Sequence, residues 1–284
     1  MEKNSSDRGI IKKMVRGTRA VDGAGVNLVR VLGADTMYDF DPFLMMDSFD
    51  SRNPDDYTLG FPLHPHRGIE TVTYLIEGEI EHRDILGNKG SIRSGESQWM
   101  TAGRGILHEE MPKASPRMLG LQLWLNLPQE SKMVEPAYFA ITDEQIPVVK
   151  ESFGEVRVVS GHYGSAQGVE TNYVAARLLD IALDANKEFT LELNPGDTSF
   201  IFLIEGDAVL DGQVIAEKTA VLLDSDQTLV LRSQPDQALR VFFFSAKPLG
   251  EPIAWGGPIV MNTREELRET FEELERGTFI RTAN

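Results

Sequence analysis

The segment Tyr74-Leu-Ile-Glu-Gly78-Glu recurs 128 residues later as Phe202-Leu-Ile-Glu-Gly206-Asp. Each copy is an apolar run that ends at a glycine and is followed by further strand-like segments. A repeat at this distance is the size of a domain, so it indicates a duplicated β domain rather than a solenoid. The string is short enough to recur by chance, and that alternative remains open from the sequence. We favour two β barrels in tandem.

The chain around the repeat is dominated by short strand-like segments separated by glycines. Leu119-Gly-Leu-Gln-Leu-Trp-Leu-Asn-Leu127 places its leucines on one face at period two, as a strand does. Near the C-terminus, Thr263-Arg-Glu-Glu266 has the capping-box pattern that begins a helix, and Gly277 suits its end. We therefore predict an all-β protein with a C-terminal helix that docks its apolar stripe on the body.

Residues 131–151 interrupt the alternation with two prolines and several charges, so the sequence places the domain boundary in this region. We predict an N-terminal domain over residues 1–135 that carries the functional site. A C-terminal domain over residues 136–284 would end in the docking helix. A second, short helix is predicted around Thr142–Ile146.

Composition excludes several functional classes. The 284 residues include 28 Lys+Arg and 44 Asp+Glu, which gives a formal charge of −16, and no cysteine. The absence of cysteine removes disulfides, thiol nucleophiles and Cys-ligated metal sites. An acidic surface repels phosphates, so direct nucleic-acid binding is not expected. No apolar run approaches the ~20 residues of a membrane helix and no secretory signal is evident, so we predict a cytoplasmic protein without membrane contact.

The histidines indicate a metal site. In a strand, residues i and i+2 share a face, so His64-Pro65-His66 offers two imidazoles and His108-Glu109-Glu110 an imidazole and a carboxylate. His64, His66, His108 and Glu110 together suit one divalent ion such as Fe(II), Mn, Ni, Cu or Zn. The alternative is that the pair belongs to the surface or to a hydrogen-bonded core.

The two remaining histidines are predicted to lie outside the site. His82 falls in a charged segment and is expected to be solvated or paired, and His162 is expected in a turn. At the repeat offset, Glu192 and Asn194 stand where the first copy has His64 and His66. We therefore expect no equivalent metal in the second domain.

Several long strings resemble the pirin family, and the resemblance extends over nearly the whole chain. They are Phe61-Pro-Leu-His-Pro-His-Arg-Gly-Ile-Glu-Thr-Val-Thr-Tyr74, Gln98-Trp-Met-Thr-Ala-Gly-Arg-Gly-Ile-Leu-His-Glu-Glu-Met-Pro112, Lys132-Met-Val-Glu-Pro136 and Gly257-Pro-Ile-Val-Met-Asn-Thr263. The resemblance implies a bicupin, that is, two antiparallel jelly-roll-like β barrels in one chain. It also implies ligation by His64, His66, His108 and Glu110, usually of iron, with Glu70 outside the ligand set.

Bacterial pirins are similar to quercetin 2,3-dioxygenases, which open a flavonol ring with O2 and release carbon monoxide. This similarity suggests a flavonol-like substrate whose 3-hydroxyl proton is taken by Glu110, as a metal ligand or a nearby base. Arg67 or Arg104 would steady an anionic intermediate, or else form surface ion pairs. The alternative is a non-enzymatic, metal- or redox-dependent regulator that binds a transcription factor or a metabolic enzyme. A third alternative is a role on another phenolic compound.

Overall fold

The computed structural model describes residues 9–280. Its N-terminal half contains β1 (Ile11–Arg16), β2 (Thr18–Asp22), β3 (Val26–Leu32), β4 (Phe43–Ser51), β5 (Phe61–His66), β6 (Ile69–Glu77), β7 (Glu79–Asp84), β8 (Lys89–Arg93), β9 (Ser97–Thr101), β10 (Ile106–Pro112), β11 (Met118–Asn126) and β12 (Ala137–Ile141). The remaining elements are β13 (Val148–Glu151), β14 (Gly154–Ser160), β15 (His162–Tyr163), β16 (Ala166–Gln167), β17 (Arg177–Leu183), β18 (Glu188–Glu192), β19 (Thr198–Glu205), β20 (Ala208–Leu210), β21 (Gln213–Ile215), β22 (Thr219–Leu223), β23 (Thr228–Ser233), β24 (Leu239–Ala246), β25 (Ala254–Gly256), β26 (Ile259–Met261) and α1 (Arg264–Arg276).

The first barrel comprises Thr18–Gln145, Asn172–Val174 and the chain from Leu249 onward. Its sheets have the strand orders β12-β9-β6-β11-β4-β3-β2 and β5-β10-β7-β8, and neighbouring strands are antiparallel. Strand β11 is buried on both faces: the predicted leucine face on one side, and Gln122 and Trp124 on the other. The side that carries Gln122 and Trp124 faces the cavity described below.

The second barrel comprises the described part of the chain up to Gly17, with Ile146–Thr171 and Ala175–Pro248. Its sheets are β1-β22-β19-β24-β17-β14-β13 and β18-β23-β20-β21, again antiparallel between neighbours. Its interior is a single apolar cluster around Phe189, Leu203 and Phe243. Glu192 and Asn194, the offset counterparts of the first-barrel histidines, are exposed. The all-β, two-barrel prediction is confirmed.

The two compact units do not follow a single cut in the chain. Strand β1 pairs with β22 of the second barrel, whereas β12, β25, β26 and α1 belong to the first. The sequence-based division into residues 1–135 and 136–284 places these elements differently, and as a domain boundary it remains a prediction. Over Thr142–Ile146, where a short helix was predicted, the structure has only the 3-10 turn Asp143–Gln145. Two further 3-10 turns cover Pro54–Asp56 and Gln129–Ser131.

Gly68 allows the chain to leave the histidine strand β5. Its φ is +77°, and a Cβ at this position would lie 1.9 Å from the Val260 carbonyl oxygen, so both conformation and space require glycine. The Gly68 carbonyl accepts a hydrogen bond from the buried Lys132 ammonium at 2.8 Å, and the Val260 carbonyl accepts another at 3.0 Å. Lys132 therefore joins the end of β5 to β26.

Helix α1 has the predicted capping box. The Thr263 hydroxyl accepts from the Glu266 amide at 3.1 Å, the Glu266 carboxylate accepts from the Thr263 amide, and Gly277 is left-handed. Its 13 residues are too few to cross a membrane, and no helix of the described chain is long and apolar enough to do so.

Arg67 holds the helix region on the first barrel. Its buried guanidinium donates to the Thr270 hydroxyl at 3.1 Å and to the Phe279 carbonyl at 3.0 Å, and it lies 2.7 Å from the Glu273 carboxylate. The same group stacks on the Phe279 ring at 4.4 Å. Because Arg67 directly follows His66, this network ties the C-terminal segment to the histidine strand.

We predict that Arg67→Ala loosens α1 locally, because it leaves several buried polar partners without a donor. The helix amides should exchange hydrogen roughly a hundredfold faster, equivalent to about 3 kcal/mol. Hydrogen exchange followed by mass spectrometry measures this. Arg268→Ala is the matched control, because Arg268 is exposed on the same helix and, within residues 9–280, its ion pair is with Glu272. Equal exchange in the two variants would contradict the role of Arg67.

Candidate metal centre

Two neighbouring strands bring the histidines together. Strand β10 pairs antiparallel with β5 so that His108 stands opposite His64 and Ile106 opposite His66. The strand period places His64 and His66 on one face of β5. His66 and His108 are buried, with 3% and 1% of their surface exposed, whereas His64 is half-buried. The side-chain nitrogens of the three histidines lie within 4.8 Å of one another.

The imidazole rings are held in an orientation that suits metal binding. His64 Nδ1 lies 2.9 Å from the Pro62 carbonyl oxygen, and His66 Nδ1 lies 3.1 Å from that of Pro258. Since a carbonyl only accepts, each Nδ1 carries the proton and each Nε2 presents a lone pair. The two Nε2 atoms are 3.0 Å apart. Two nitrogens bound at right angles about 2.1 Å from one ion are separated by about this distance.

His108 is the third potential ligand. Both of its ring nitrogens are buried and neither has a hydrogen-bond partner among the described residues. Its ring centroid lies 4.5 Å from that of His64 and 5.1 Å from that of His66. Burial, followed by the proximity of the other imidazoles, holds the pKa values of His66 and His108 well below the ordinary value. Neutral imidazoles with converging lone pairs fit a metal ion.

Glu110 follows on the same strand but has different neighbours. A register shift separates it from His108, so it stands opposite Phe61. The Gln122 amide nitrogen donates to both carboxylate oxygens, at 3.0 and 2.8 Å, and the Thr73 hydroxyl lies 3.4 Å from one of them. The structure thus groups three of the four predicted ligands. The carboxylate of the fourth is buried and oriented by Gln122.

His82 is buried and paired, so of the two alternatives that the sequence left open the paired one holds and the solvated one does not. It stands opposite Glu110 in the β7–β10 pair, its Nε2 contacts the Gln98 amide, and its ring stacks on Tyr138 with centroids 5.9 Å apart. Burial lowers its pKa, although the charges of Glu110 and Asp84 oppose the shift. The alternation of Ile80, His82 and Asp84 along β7 was the available signal. His162 is exposed beside a tight turn, as expected.

The sequence suggested that Arg67 or Arg104 steadies an anionic intermediate, but neither residue lines the cavity described below. Arg67 forms the buried network with the helix region described above, which is neither a surface pair nor a contact with the cavity. Arg104 forms an ion pair with Glu135 at 2.6 Å. Glu70 is fully buried, accepts from the Thr101 hydroxyl at 2.7 Å, and has its pKa raised by burial to about 7. It lies outside the histidine cluster, as the resemblance implied.

A cavity of about 580 Å³ opens beside the histidines. His64 and His66 line it together with the aromatic walls Trp124, Trp255 and Phe61. The Trp124 ring meets His66 edge to face at 4.9 Å, and the two tryptophan centroids are 6.1 Å apart. This volume and this mixture of apolar walls with a few polar groups are typical of small-molecule sites.

Family comparisons agree with this geometry. The Pirin family matches residues 25–125, and the Pirin C-terminal cupin domain matches residues 178–280. A pirin-like protein of Caulobacter vibrioides is 40% identical over 273 residues, which cover 95% of this chain and 98% of that protein. The chain belongs to the pirin family. The bicupin prediction is thereby confirmed, with both β barrels assigned to cupin domains.

Two further relatives carry different names. Human pirin is 39% identical to this pirin, with 87% of this chain and 86% of the human protein covered. A crystal structure of quercetin 2,3-dioxygenase from Acinetobacter baumannii superposes with a TM-score of 0.87 at 31% identity, covering 95% of this chain and 98% of that one. The similar proteins therefore include one that is named as an enzyme and one that is named only for the family.

We predict that His66→Ala weakens binding of a divalent ion by more than about 100-fold, because a lost ligand costs more than a lost outer partner. Titration of the metal-free protein with Fe(II) under anaerobic conditions, against a competing chelator, measures the affinity. His162→Ala is the control, because His162 is exposed and outside the cluster. Unchanged affinity in His66→Ala would contradict the assignment.

Proposed function

We propose that this pirin is a metal-dependent dioxygenase that opens a flavonol-type ring with O2. The observation that carries the proposal is the convergence of three imidazoles, two of which line a cavity with aromatic walls. Similarity to the A. baumannii quercetin 2,3-dioxygenase supports the same reaction class. The proposed ligands are His64, His66, His108 and Glu110, and the proposed ion is Fe(II). Mn, Ni, Cu and Zn are compatible with the same donor set.

The chain's own groups supply orientation and proton transfer. When bound, the ion would supply Lewis-acid polarisation of a substrate hydroxyl. Trp124 and Trp255 offer apolar surfaces on which a planar ring system can lie. Glu110 accepts the proton of the flavonol 3-hydroxyl, and the Gln122 amide fixes the direction of its carboxylate oxygens.

The deciding experiment loads metal-free protein with one equivalent of Fe(II) per chain and supplies quercetin and O2. Oxygen consumption and carbon monoxide release, both dependent on the metal, are the expected results. Metal binding at one ion per chain without either gas change would contradict the dioxygenase. That result would favour the regulatory alternative, in which the same centre controls binding to a protein partner.

We predict that Glu110→Gln lowers kcat by about 10²-fold or more, because the amide cannot accept the substrate proton. The metal content of the same sample separates two roles. Retained metal indicates a base, whereas lost metal indicates that the carboxylate is a ligand. Glu109→Gln is the matched control, since Glu109 is the neighbouring residue of β10 and pairs with Arg83. Full turnover in Glu110→Gln would exclude both roles.

A further inference from the structure

The wall of the cavity that His64 and His66 line also carries three charged groups on adjacent strands. Asp22 ends β2, Arg30 lies in β3, and Asp47 lies in β4 directly opposite Arg30. All three line the same cavity as His64 and His66. Asp47 also stands opposite Gln122, the residue that holds the Glu110 carboxylate. A row of polar groups on adjacent strands therefore joins the triad to Glu110 through Gln122.

The three charges form a fixed triad. The Arg30 guanidinium donates to both oxygens of Asp47, at 2.9 and 2.8 Å, and to Asp22 at 2.7 Å. The Asp47 side chain is almost fully buried, whereas Asp22 is about half exposed. Burial raises the pKa of Asp22, but hydrogen bonds from Arg30 and the Gly23 amide, together with the charges of Arg30 and His64, lower it by more, so this carboxylate is ionised at neutral pH.

Charge and hydrogen-bonding capacity define what the triad can bind. Two carboxylates and one guanidinium leave one net negative charge, which disfavours an anionic ligand. The carboxylate oxygens keep lone pairs that can accept from hydroxyl groups, and Arg30 Nη1 has no hydrogen-bond acceptor among the described residues. A phenolic hydroxyl both donates and accepts, so a pair of such hydroxyls matches this set of groups.

We propose that the Asp22–Arg30–Asp47 triad determines substrate specificity by recognising uncharged hydroxyl groups at the end of the substrate that does not carry the reacting hydroxyl. The preferred substrates are planar polyphenols with adjacent hydroxyls at that end, and aromatic acids are rejected. The inference rests on the proposed function for the placement of the reacting end, and it adds which compounds the cavity selects.

Binding to the metal-loaded protein tests the proposal without turnover, under anaerobic conditions, through quenching of tryptophan fluorescence. The first two probes are quercetin, which has two hydroxyls on its outer ring, and galangin, which has none there. We expect the wild type to bind quercetin about tenfold more tightly, the effect of one or two net hydrogen bonds. Asp22→Ala should reduce this preference to less than about threefold.

A third probe tests the charge argument: 3-hydroxyflavone with a carboxylate at position 4′. Asp22→Asn removes one negative charge with little change of shape, and we expect it to bind this acid at least about threefold more tightly than the wild type does. Asp50→Ala is the control for both effects, because Asp50 forms an equivalent pair with Arg117, at 2.9 and 2.7 Å, and does not line the cavity.

Equal binding of quercetin and galangin by the wild type would overturn the specificity proposal, as would an unchanged preference in Asp22→Ala. Absence of binding by every probe would also overturn it. The proposed dioxygenase activity is judged separately by oxygen consumption and carbon monoxide release. Selective binding without gas exchange would reject the activity and leave the triad's specificity standing.

Discussion

The first barrel is organised around imidazole lone pairs that converge in a poorly solvated interior. Two Nε2 atoms face each other at 3.0 Å, and beside them lies a third ring whose nitrogens have no hydrogen-bond partner in the described part of the chain. Burial opposes protonation of His66 and His108, so these imidazoles are neutral and keep lone pairs with which they could bind an ion. Three features hold these rings in place. They are the register of β5 on β10, the backbone carbonyls at Nδ1 of His64 and His66, and the glycine after the histidine strand.

The two barrels show how one architecture supports different interiors. In the second, Phe189, Leu203 and Phe243 belong to one continuous apolar cluster. In the first, apolar residues form separate clusters, and polar groups such as Gln122 and Glu110 occupy buried positions. Buried polar groups are tolerated only when they are paired, and here Gln122 satisfies Glu110. The second barrel also buries polar groups, Asp180 paired with Arg240 and Ser199 with Ser245, but these residues lie outside its apolar cluster.

Local patterns in the sequence predicted much of this structure. The period of two placed His64 with His66, the capping box gave the start of the helix and Gly277 gave its end, because these features depend on neighbouring residues alone. What escaped prediction depends on partners distant in the chain. Three examples are the burial of Arg67 against Phe279, the pairing of β1 with β22, and the choice of the first barrel as the place where α1 docks. His82 lies among charged residues, which made its segment look exposed. Every second residue of β7 is nevertheless buried, and His82 is one of them.

The Pro258 carbonyl, which fixes the proton of His66, lies 192 residues further along the chain. Proteins begin to fold from the N-terminus as they are synthesised. The histidine strand is therefore made well before the segment that contacts His66 and Arg67. Before residues 249–280 are made, His66 lacks this carbonyl and Arg67 lacks its helix partners. The three-histidine arrangement therefore reaches its final form only after this distant segment has been made and has docked on the first barrel.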